Sequence, residues 1–280
     1  MAIVACPSCY GELDFLELGA GIRCKCCGAK YRYAGHVPVI MNDQQQMELS
    51  NKLNCYRETT VPRFDTRFRQ MLYPKMLTFD PWKKKRMKGW LANFSDESIL
   101  MDIGAQTFRH RPDIIAFDVV PFPGVDLVGD GLRLPIRSDS VDGIINTGVL
   151  EHVESPERMV SEIYRILRPK GEVYVEVPFM QPFHPDPVDF HRFSLPALEK
   201  LFHSFEVVAK GVGAGPCSSL NWLLREISAS VFENPTLYTY TWILTGWVTF
   251  WIPMLDFFLA KRSFSFKTAS SYYIIARKPA

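Results

Sequence analysis

Five short apolar runs between residues 98 and 177 dominate the hydrophobic pattern of this chain. They cover 98–104, 113–118, 125–130, 141–146 and 172–177. Runs of this length, separated by turn or helical sequence, are typical of buried parallel strands. Ligands of open α/β sheets bind at the carboxyl ends of the strands. Those ends carry Gly104, Asp118, Asp130 and Asn146, which suit a ligand with hydroxyls and an exocyclic amine.

The pattern after the fourth run predicts helices and two more strands. Ser155-Pro156-Glu157 combines a cap, a first-turn proline and an early acid, which together predict a helix start. A second helix is predicted from Ser194 to about residue 202. Further strands are predicted at 205–210 and 271–277, so residues 214–270 form an insertion between the final two strands.

Residues 242–260 of this insertion are nearly all apolar and are followed by Lys261 and Arg262. By length the segment reaches the size of a membrane-spanning helix. If the flanking strands share one sheet, however, the chain must return to the side it left, and no second apolar span exists. We therefore expect a helix that lies on or dips into one leaflet, or that lines an acceptor pocket. A fully buried packing helix is the alternative.

Composition and charge narrow the class of protein. With 280 residues and 47% hydrophobic content, the chain is predicted to be globular and not disordered. The net charge is only +2, but residues 57–88 carry a local +7 among aromatic side chains, including Arg63-Phe64 and Arg67-Phe68-Arg69. Residues 43–95 are thus predicted to be a helical linker or cap, whose basic face is solvated or meets an anionic membrane or a phosphate-bearing substrate. The N-terminal residues do not form a secretory signal, which favours a cytoplasmic protein.

Four of the seven cysteines are spaced as two CxxC pairs, Cys6 with Cys9 and Cys24 with Cys27. An alternating stretch of sequence that is typical of a β-hairpin separates the pairs. This spacing predicts a zinc ribbon over residues 1–42, because each turn presents two thiolates to one structural Zn²⁺. Neighbouring Cys26 leaves the register slightly ambiguous. Four thiolates around zinc do not favour phosphate, so a structural or docking role is expected.

Several motifs in order resemble class I S-adenosylmethionine-dependent methyltransferases, and in particular the type 11-like methyltransferase domain. They are Asp102-Ile-Gly104, Asp118, Asp130, Val149-Leu-Glu-His-Val153 and Ile166-Leu-Arg-Pro-Lys-Gly171. The resemblance covers roughly residues 98–210, and the final strand extends it. It implies an α/β fold over residues 96–280, a doubly wound, seven-stranded and mostly parallel sheet, with S-adenosyl-L-methionine as the methyl donor.

The resemblance also implies which residues contact the donor. Asp102 and Gly104 would form the loop around its methionine moiety, and Asp118 would accept the ribose hydroxyls. Asn146 and Thr147 would lie near the sulfonium. The competing interpretation of these polar residues is ordinary turn chemistry at the ends of strands.

For the adenine, the resemblance implies that Asp130 accepts from the amine while Gly131 and Leu132 pack on the ring. One position departs from the family pattern, since Gln106 stands where a second glycine is usual. The short distance from Gly104 to Asp118 predicts a short or irregular first helix and argues against a dinucleotide ligand, whose pyrophosphate needs a glycine-rich turn.

Candidate catalytic groups follow the fourth and fifth runs. Methyl transfer to a hydroxyl benefits from a base, and the first candidate is His152. A proline-rich loop at 183–192 presents the others, which are His184, Asp186, Asp189, His191 and Arg192. A capping histidine, a buried Asp–Arg pair or a merely rigid loop would explain the same residues. Metal binding by His184, Asp186 and His191 lacks a recognised spacing.

The sequence thus predicts a methyltransferase with a zinc ribbon, cytoplasmic or peripheral to the inner face of a membrane, which it contacts through 242–260 and 57–88. The expected acceptor is a glycan, a lipid-linked sugar or another small molecule. Two alternatives stay open. One is an RNA methyltransferase, for which nucleic acid would be the partner, although that partner is less favoured. The other is a non-catalytic binding module that no longer binds the cofactor because Gln106 replaces a glycine. Oligomeric state is not predicted.

Overall fold

The computed structural model describes residues 3–16, 21–42, 44–47, 78–184 and 188–280. Most of the basic and aromatic stretch predicted at 57–88 lies outside these residues, including Arg63, Phe64, Arg67, Phe68 and Arg69. Asp186, one of the candidate catalytic residues, also lies outside them.

The chain alternates strands and helices in the order expected for an α/β protein. The strands are β1 Leu13–Phe15, β2 Ile22–Cys24, β3 Lys30–Ala34, β4 Val37–Ile40, β5 Leu100–Ile103, β6 Ile115–Asp118, β7 Leu127–Gly129, β8 Val141–Thr147, β9 Leu167–Pro178, β10 Glu206–Val212 and β11 Ser271–Arg277. The α-helices are α1 Lys83–Leu91, α2 Pro156–Ile166, α3 Leu195–Leu201, α4 Pro216–Ala229, α5 Pro235–Thr249 and α6 Asp256–Leu259. Short 3₁₀ turns occupy Leu150–His152, Ile252–Leu255 and Ser265–Thr268.

In the described part of the chain, the strands form one sheet in the order β1-β2-β3-β4-β7-β6-β5-β8-β9-β11-β10. The central run from β4 to β9 is parallel, while β11 and β10 add antiparallel strands at one edge. The mostly parallel central sheet is confirmed. Residues 96–280 contribute the seven expected strands, β5 to β11, and the four strands of the cysteine-rich segment pair onto β7 and extend the same sheet to eleven strands.

Alternate residues of the central strands face two separate cores. In β8, Ile144 packs in the larger core with residues of α2 and α3, whereas Ile145 packs in a smaller core with residues of α1. In β11, Ile274 and Ile275 divide in the same way. This alternation follows from the two-residue repeat of a strand and explains why runs buried on both faces read as continuously apolar.

The connections on either side of β6 are irregular. Residues 104–114, between β5 and β6, form turns and bends and no helix, and residues 119–126 do the same between β6 and β7. The expectation of a short or irregular first helix is therefore confirmed. Helices lie on both faces of the sheet, but in the described residues they cover mainly β8, β9 and β11.

The cysteine-rich segment is joined to the rest of the molecule at two places. Val4 forms an antiparallel bridge with Ile136, and the amide of Ala5 donates to the carbonyl of Pro135 at 2.9 Å. The ring of Tyr10 lies 4.2 Å from the guanidinium of Arg165. These contacts fix the segment against the loop that follows β7.

The insertion between β10 and β11 consists of α4, α5 and the short turns that follow. Residues Pro235–Leu259 are long and apolar enough to cross a membrane by length and composition, yet only 33% of an apolar 18-residue window within them is buried. A fully buried packing helix, one of the alternatives above, is therefore wrong. The apolar side chains of this segment mostly face outward.

Candidate functional site

A left-handed turn follows β5 at the carboxyl edge of the sheet. Gly104 has φ +84°, and a Cβ atom there would lie 2.3 Å from Cγ2 of Val149. Any side chain at this position would be strained in its backbone and would also clash with its neighbour. The turn therefore requires glycine, which brings its backbone close to the segment that follows β8.

Asp118, at the end of β6, holds the loop after β5 in place. Its two carboxylate oxygens accept from the amides of Gln106 at 2.9 Å and Val120 at 3.0 Å. Gln106 itself adopts φ +48°, a left-handed conformation that favours glycine. Gln106 thus takes a left-handed backbone shape although it is not glycine, and the Asp118 contact offsets the strain.

Asp130 organises the next loop in a similar way. One of its oxygens accepts from the amide of Leu132 at 2.9 Å, and the other from the side-chain amide of Gln45 at 3.3 Å. At Gly131, a Cβ atom would lie 2.7 Å from Cε of Met159 in α2. This loop is therefore tightly packed against α2.

Asn146 is the unexplained polar group at the carboxyl edge. It is fully buried in β8 beside Ile103, and neither its amide nitrogen nor its carbonyl oxygen finds a hydrogen-bond partner among the described residues. Leaving a buried amide unpaired costs about 1–3 kcal/mol, so the structure favours a polar ligand at this position. Thr147 follows it as the last residue of β8.

Asp102 carries the most perturbed carboxyl of this edge. Burial is the main cause that raises its pKa, to about 7, and the negative charge of neighbouring Asp118 adds to the effect. Lys83 opposes the shift. A buried acid pair of this kind attracts a cationic ligand, since a nearby positive charge would favour the ionised form.

Two predicted histidines meet around a carboxylate. The rings of His152 and His184 lie edge to face, with centroids 5.5 Å apart. Oε1 of buried Glu151 is 3.8 Å from Nε2 of His152 and 3.9 Å from Nε2 of His184. The other oxygen of Glu151 has no hydrogen-bond partner in the described part of the chain. These three side chains are close enough to hold one divalent cation, or to share a proton.

Backbone and side-chain contacts fix both rings. Nδ1 of His152 bonds to the carbonyl of Val188. Nδ1 of His184 lies 3.0 Å from the carbonyl of Pro182 and 3.1 Å from Arg192. We assign the proton to Nδ1, donating to Pro182, because Arg192 already donates to Pro182 and Asp189. Nε2 of each ring then faces Glu151.

The charges around His184 set its proton affinity. Burial lowers its pKa, but the Glu151 carboxylate, the Pro182 carbonyl and Asp189 outweigh that effect, and the net pKa is raised. Burial of Asp189 is likewise outweighed by Arg192, whose guanidinium forms two contacts with the carboxylate and lowers its pKa. The Asp–Arg pair considered from the sequence is present, and it supports His184.

The structure sorts the candidate residues. It brings together His152, His184 and Asp189, whereas the His191 ring packs between those of Phe190 and Phe193, at 6.1 and 5.7 Å, with its Nε2 buried and unpaired among described residues. Sequence reasoning missed Glu151 as a functional residue. It lies inside the Leu-Glu-His-Val motif, but nothing in the sequence shows that its carboxylate faces both histidines.

The four paired cysteines gather at one point. Their sulfur atoms lie within 4.8 Å of one another, with 3.7 Å between Cys6 and Cys27 and 3.5 Å between Cys9 and Cys24. Tetrahedral zinc with Zn–S bonds of about 2.3 Å separates its sulfurs by about 3.8 Å. Cys26 is exposed and does not belong to the cluster.

Both cysteine turns have the same backbone form. In the first turn, the amide of Tyr10 donates to the carbonyl of Cys6 at 2.7 Å. In the second turn, the amide of Gly28 donates to the carbonyl of Cys24 at 3.1 Å. Tyr10 and Gly28 are both left-handed, with φ of +56° and +75°. The repeat explains why the sulfurs converge although only one turn has glycine at that position.

Comparisons with known proteins agree with the motifs. Residues 101–175 match a family described as methyltransferase domain. An uncharacterized methyltransferase-like protein of Schizosaccharomyces pombe is 31% identical over 96 residues, which cover 28% of this chain and 37% of that protein. A probable S-adenosylmethionine-dependent methyltransferase of Mycolicibacterium smegmatis is 37% identical over 83 residues, covering 28% of this chain and 32% of that protein. The matched segments thus span about a third of these relatives.

Among solved structures, the complex between the Haloferax volcanii Trm112 methyltransferase activator and a methyltransferase contains a similar chain. The alignment covers 71% of this chain and 94% of that one, with 17% identity and a TM-score of 0.44. At this score the likeness adds nothing to the fold described above.

The raised pKa of Asp102 predicts a pH-dependent stability. Its folded-state pKa of about 7 lies above the ordinary carboxyl value, so the protonated group stabilises the fold at low pH, and this contribution is lost as the pH rises toward 7. We expect Asp102→Asn to remove this slope and to raise the free energy of unfolding at about pH 8 by roughly 4 kcal/mol. Urea unfolding between about pH 5 and pH 8 measures it.

Asp113→Asn is the control, because Arg111 lowers the pKa of that exposed carboxyl. Parallel pH profiles for Asp102→Asn and the unaltered protein would contradict the assignment.

Proposed function

We propose that this chain is an S-adenosylmethionine-dependent methyltransferase. The observation that carries the proposal is the convergence of Gly104, Asp118, Asp130 and Asn146 at one edge of a parallel sheet, within and next to a segment that matches a methyltransferase domain. The acidic edge fits the donor, which is a cation with ribose hydroxyls and an adenine amine but no phosphate.

The residues fit the donor in three places. Buried Asp102 and Asp118 supply negative charge for its ammonium and sulfonium groups, and the Asp118 carboxylate is an acceptor type that suits the ribose hydroxyls. Asp130 offers an acceptor at the tip of the next loop. Buried and unpaired Asn146 supplies a donor and an acceptor. When bound, the donor supplies an electrophilic methyl group, and the protein mainly aligns the acceptor and excludes water.

The groups on the acceptor side are those around Glu151. His184 has a raised pKa, an Nε2 directed at Glu151 and an Nδ1 proton fixed by Pro182. We assign it the role of base for an acceptor hydroxyl, with Glu151 stabilising the protonated ring and His152 beside it. The acceptor that we propose is a small molecule, a glycan or a lipid-linked sugar.

The cysteine cluster is proposed to bind one structural zinc ion. The convergence of four sulfurs and the repeated turn geometry support this role. Since residues 4 and 5 pair with residues 135 and 136, a metal here would also steady the loop that begins at Asp130. Zinc is thus proposed to support cofactor binding from a distance, without contact with the donor.

Calorimetry with S-adenosylhomocysteine tests the cofactor site. We expect the unaltered protein to bind it, and Asp118→Ala and Asp130→Ala to weaken binding at least about tenfold, because each removes a charged acceptor worth about 1.5–3 kcal/mol. Asp113→Ala is the control, since Asp113 precedes β6 and its exposed pair with Arg111 contributes little. Thermal unfolding of each variant separates loss of binding from loss of fold. No binding by the unaltered protein would favour a non-catalytic module instead.

The assignment of His184 can be tested without knowing the acceptor. Glu151→Gln removes the carboxylate that raises the His184 pKa, so we expect the ring to titrate at lower pH when followed by NMR. Glu157→Gln, on the exposed side of α2, is expected to leave the titration unchanged. An unchanged His184 titration in Glu151→Gln would contradict the proposed partnership.

Metal analysis tests the cysteine cluster. We expect about one zinc per chain in the purified protein. Cys9→Ser should lose most of this metal and bind S-adenosylhomocysteine more weakly, because the loop at Asp130 loses its support. Cys26→Ser is the matched control, an exposed cysteine of the second turn outside the cluster. Equal zinc content in both variants would overturn the assignment of the ligands.

A further inference from the structure

The two longest helices of the insertion present apolar faces to the outside. Within α4, every exposed residue is apolar, namely Leu220, Leu224 and Ile227. In α5, the exposed residues after Pro235 and Thr236 are Leu237, Tyr240, Leu244, Trp247 and Val248. Spacings of three and four residues place each set on one face of its helix. Monomers in water rarely expose a continuous apolar surface of this extent.

The same helices bury their polar side chains against each other and the turns that follow. Buried Asp256 accepts from the amides of Cys217 and Ser218, at 2.9 and 2.8 Å. Thr249 of α5 donates to Asn221 of α4 at 2.7 Å. The charged side chain of Arg225 is also fully buried, and its guanidinium lies 5.0 Å from the centroid of the Trp242 ring.

This distribution is the reverse of that in a water-soluble helical hairpin, where apolar side chains face inward. Polar residues that face the interior of a helix bundle, with apolar residues outside, are typical of helices surrounded by lipid. A protein partner would need only one apolar patch, whereas here both helices and the turns after them are apolar outside. The exposed residues of 251–259 continue the surface, and they are Trp251, Met254, Leu255, Phe257, Phe258 and Leu259.

Basic residues border this surface on one side. Trp82, just before α1, stacks on Phe257 with ring centroids 5.3 Å apart, and Nζ of Lys261 lies 3.4 Å from the centre of the Trp82 ring. Exposed Lys84, Lys85 and Arg262 lie in the same two segments. Aromatic and basic residues at the edge of an apolar surface match the headgroup region of an anionic membrane.

We propose that the helical hairpin formed by residues 216–259 inserts into one leaflet of a membrane that contains anionic lipids. The hairpin enters and leaves on the same side, because its two ends continue into β10 and β11, which pair with each other. Residues 235–259 are long enough to cross a membrane, but α4 is roughly 21 Å long at about 1.5 Å per residue and falls short of the roughly 30 Å hydrocarbon core. The protein is thus held in a single leaflet.

Vesicle binding by the full chain tests the proposal. We expect the protein to co-sediment with vesicles of phosphatidylcholine and phosphatidylglycerol, more weakly with phosphatidylcholine alone, and its tryptophan fluorescence to be quenched by lipids brominated on the acyl chains. The variant Leu244→Glu/Val248→Glu places two charges on the outer face of α5, where both side chains are 64% exposed. Its partition onto vesicles should fall at least about tenfold.

The matched control is Val207→Glu/Val208→Glu, which adds the same charge at two exposed valines of β10. It should bind vesicles like the unaltered protein. Binding of S-adenosylhomocysteine and thermal unfolding show whether each variant is folded. If the α5 variant unfolds, Leu220→Glu/Ile227→Glu on α4 replaces it.

Three results would overturn the proposal. One is that the unaltered protein stays with the supernatant for both kinds of vesicle. Another is an equal loss of binding in the control variant. The third is a dimer in lipid-free solution that Leu244→Glu/Val248→Glu dissociates, without vesicle binding by the unaltered protein, which would identify a second copy of the chain as the occupant of this surface.

Discussion

Parallel pairing of β5 with β6 and β8 is the constraint on which the rest of this structure depends. It sends the carboxyl ends of those strands to one edge, so that residues far apart in the chain, such as Asp118 and Asn146, meet at the Gly104 turn. The turn exists only because Gly104 lacks a Cβ atom where Val149 approaches. Without this close approach, the loops that carry the acids would not meet at one edge of the sheet.

The two halves of the proposed active site differ in their balance of acidic and basic side chains. On the proposed donor side, buried carboxylates dominate. Burial and, to a smaller extent, repulsion from Asp118 raise the pKa of Asp102. On the acceptor side, the acids face basic side chains, since Arg192 pairs with Asp189 and the two histidines face Glu151. This division suits the proposed reaction, because a cationic methyl donor needs negative charge while an acceptor hydroxyl needs a base.

Two additions to the central sheet serve that site from different directions. The cysteine-rich segment extends the sheet past β7 and holds the loop at Asp130 through residues 4 and 5. The hairpin of α4 and α5 reaches the other side, where the Trp222 ring lies 5.3 Å from that of His184. The proposed zinc centre and the proposed membrane contact are therefore each linked by direct packing to one half of the proposed active site.

Sequence alone determined the features that depend on local chemistry. The buried strands, the helix start at Pro156, the four converging cysteines and the polar residues at strand ends follow from side-chain periodicity and turn preference. Tertiary structure decided the rest, because it depends on which surfaces meet. Examples are the four strands that lengthen the sheet, the carboxylate of Glu151 between two histidines, and the packing of the His191 ring between two phenylalanines. The orientation of the apolar insertion belongs to the same group, since a run of apolar residues gives hydrophobicity but not the side that faces outward, and only packing against Asp256 and Arg225 fixed that side.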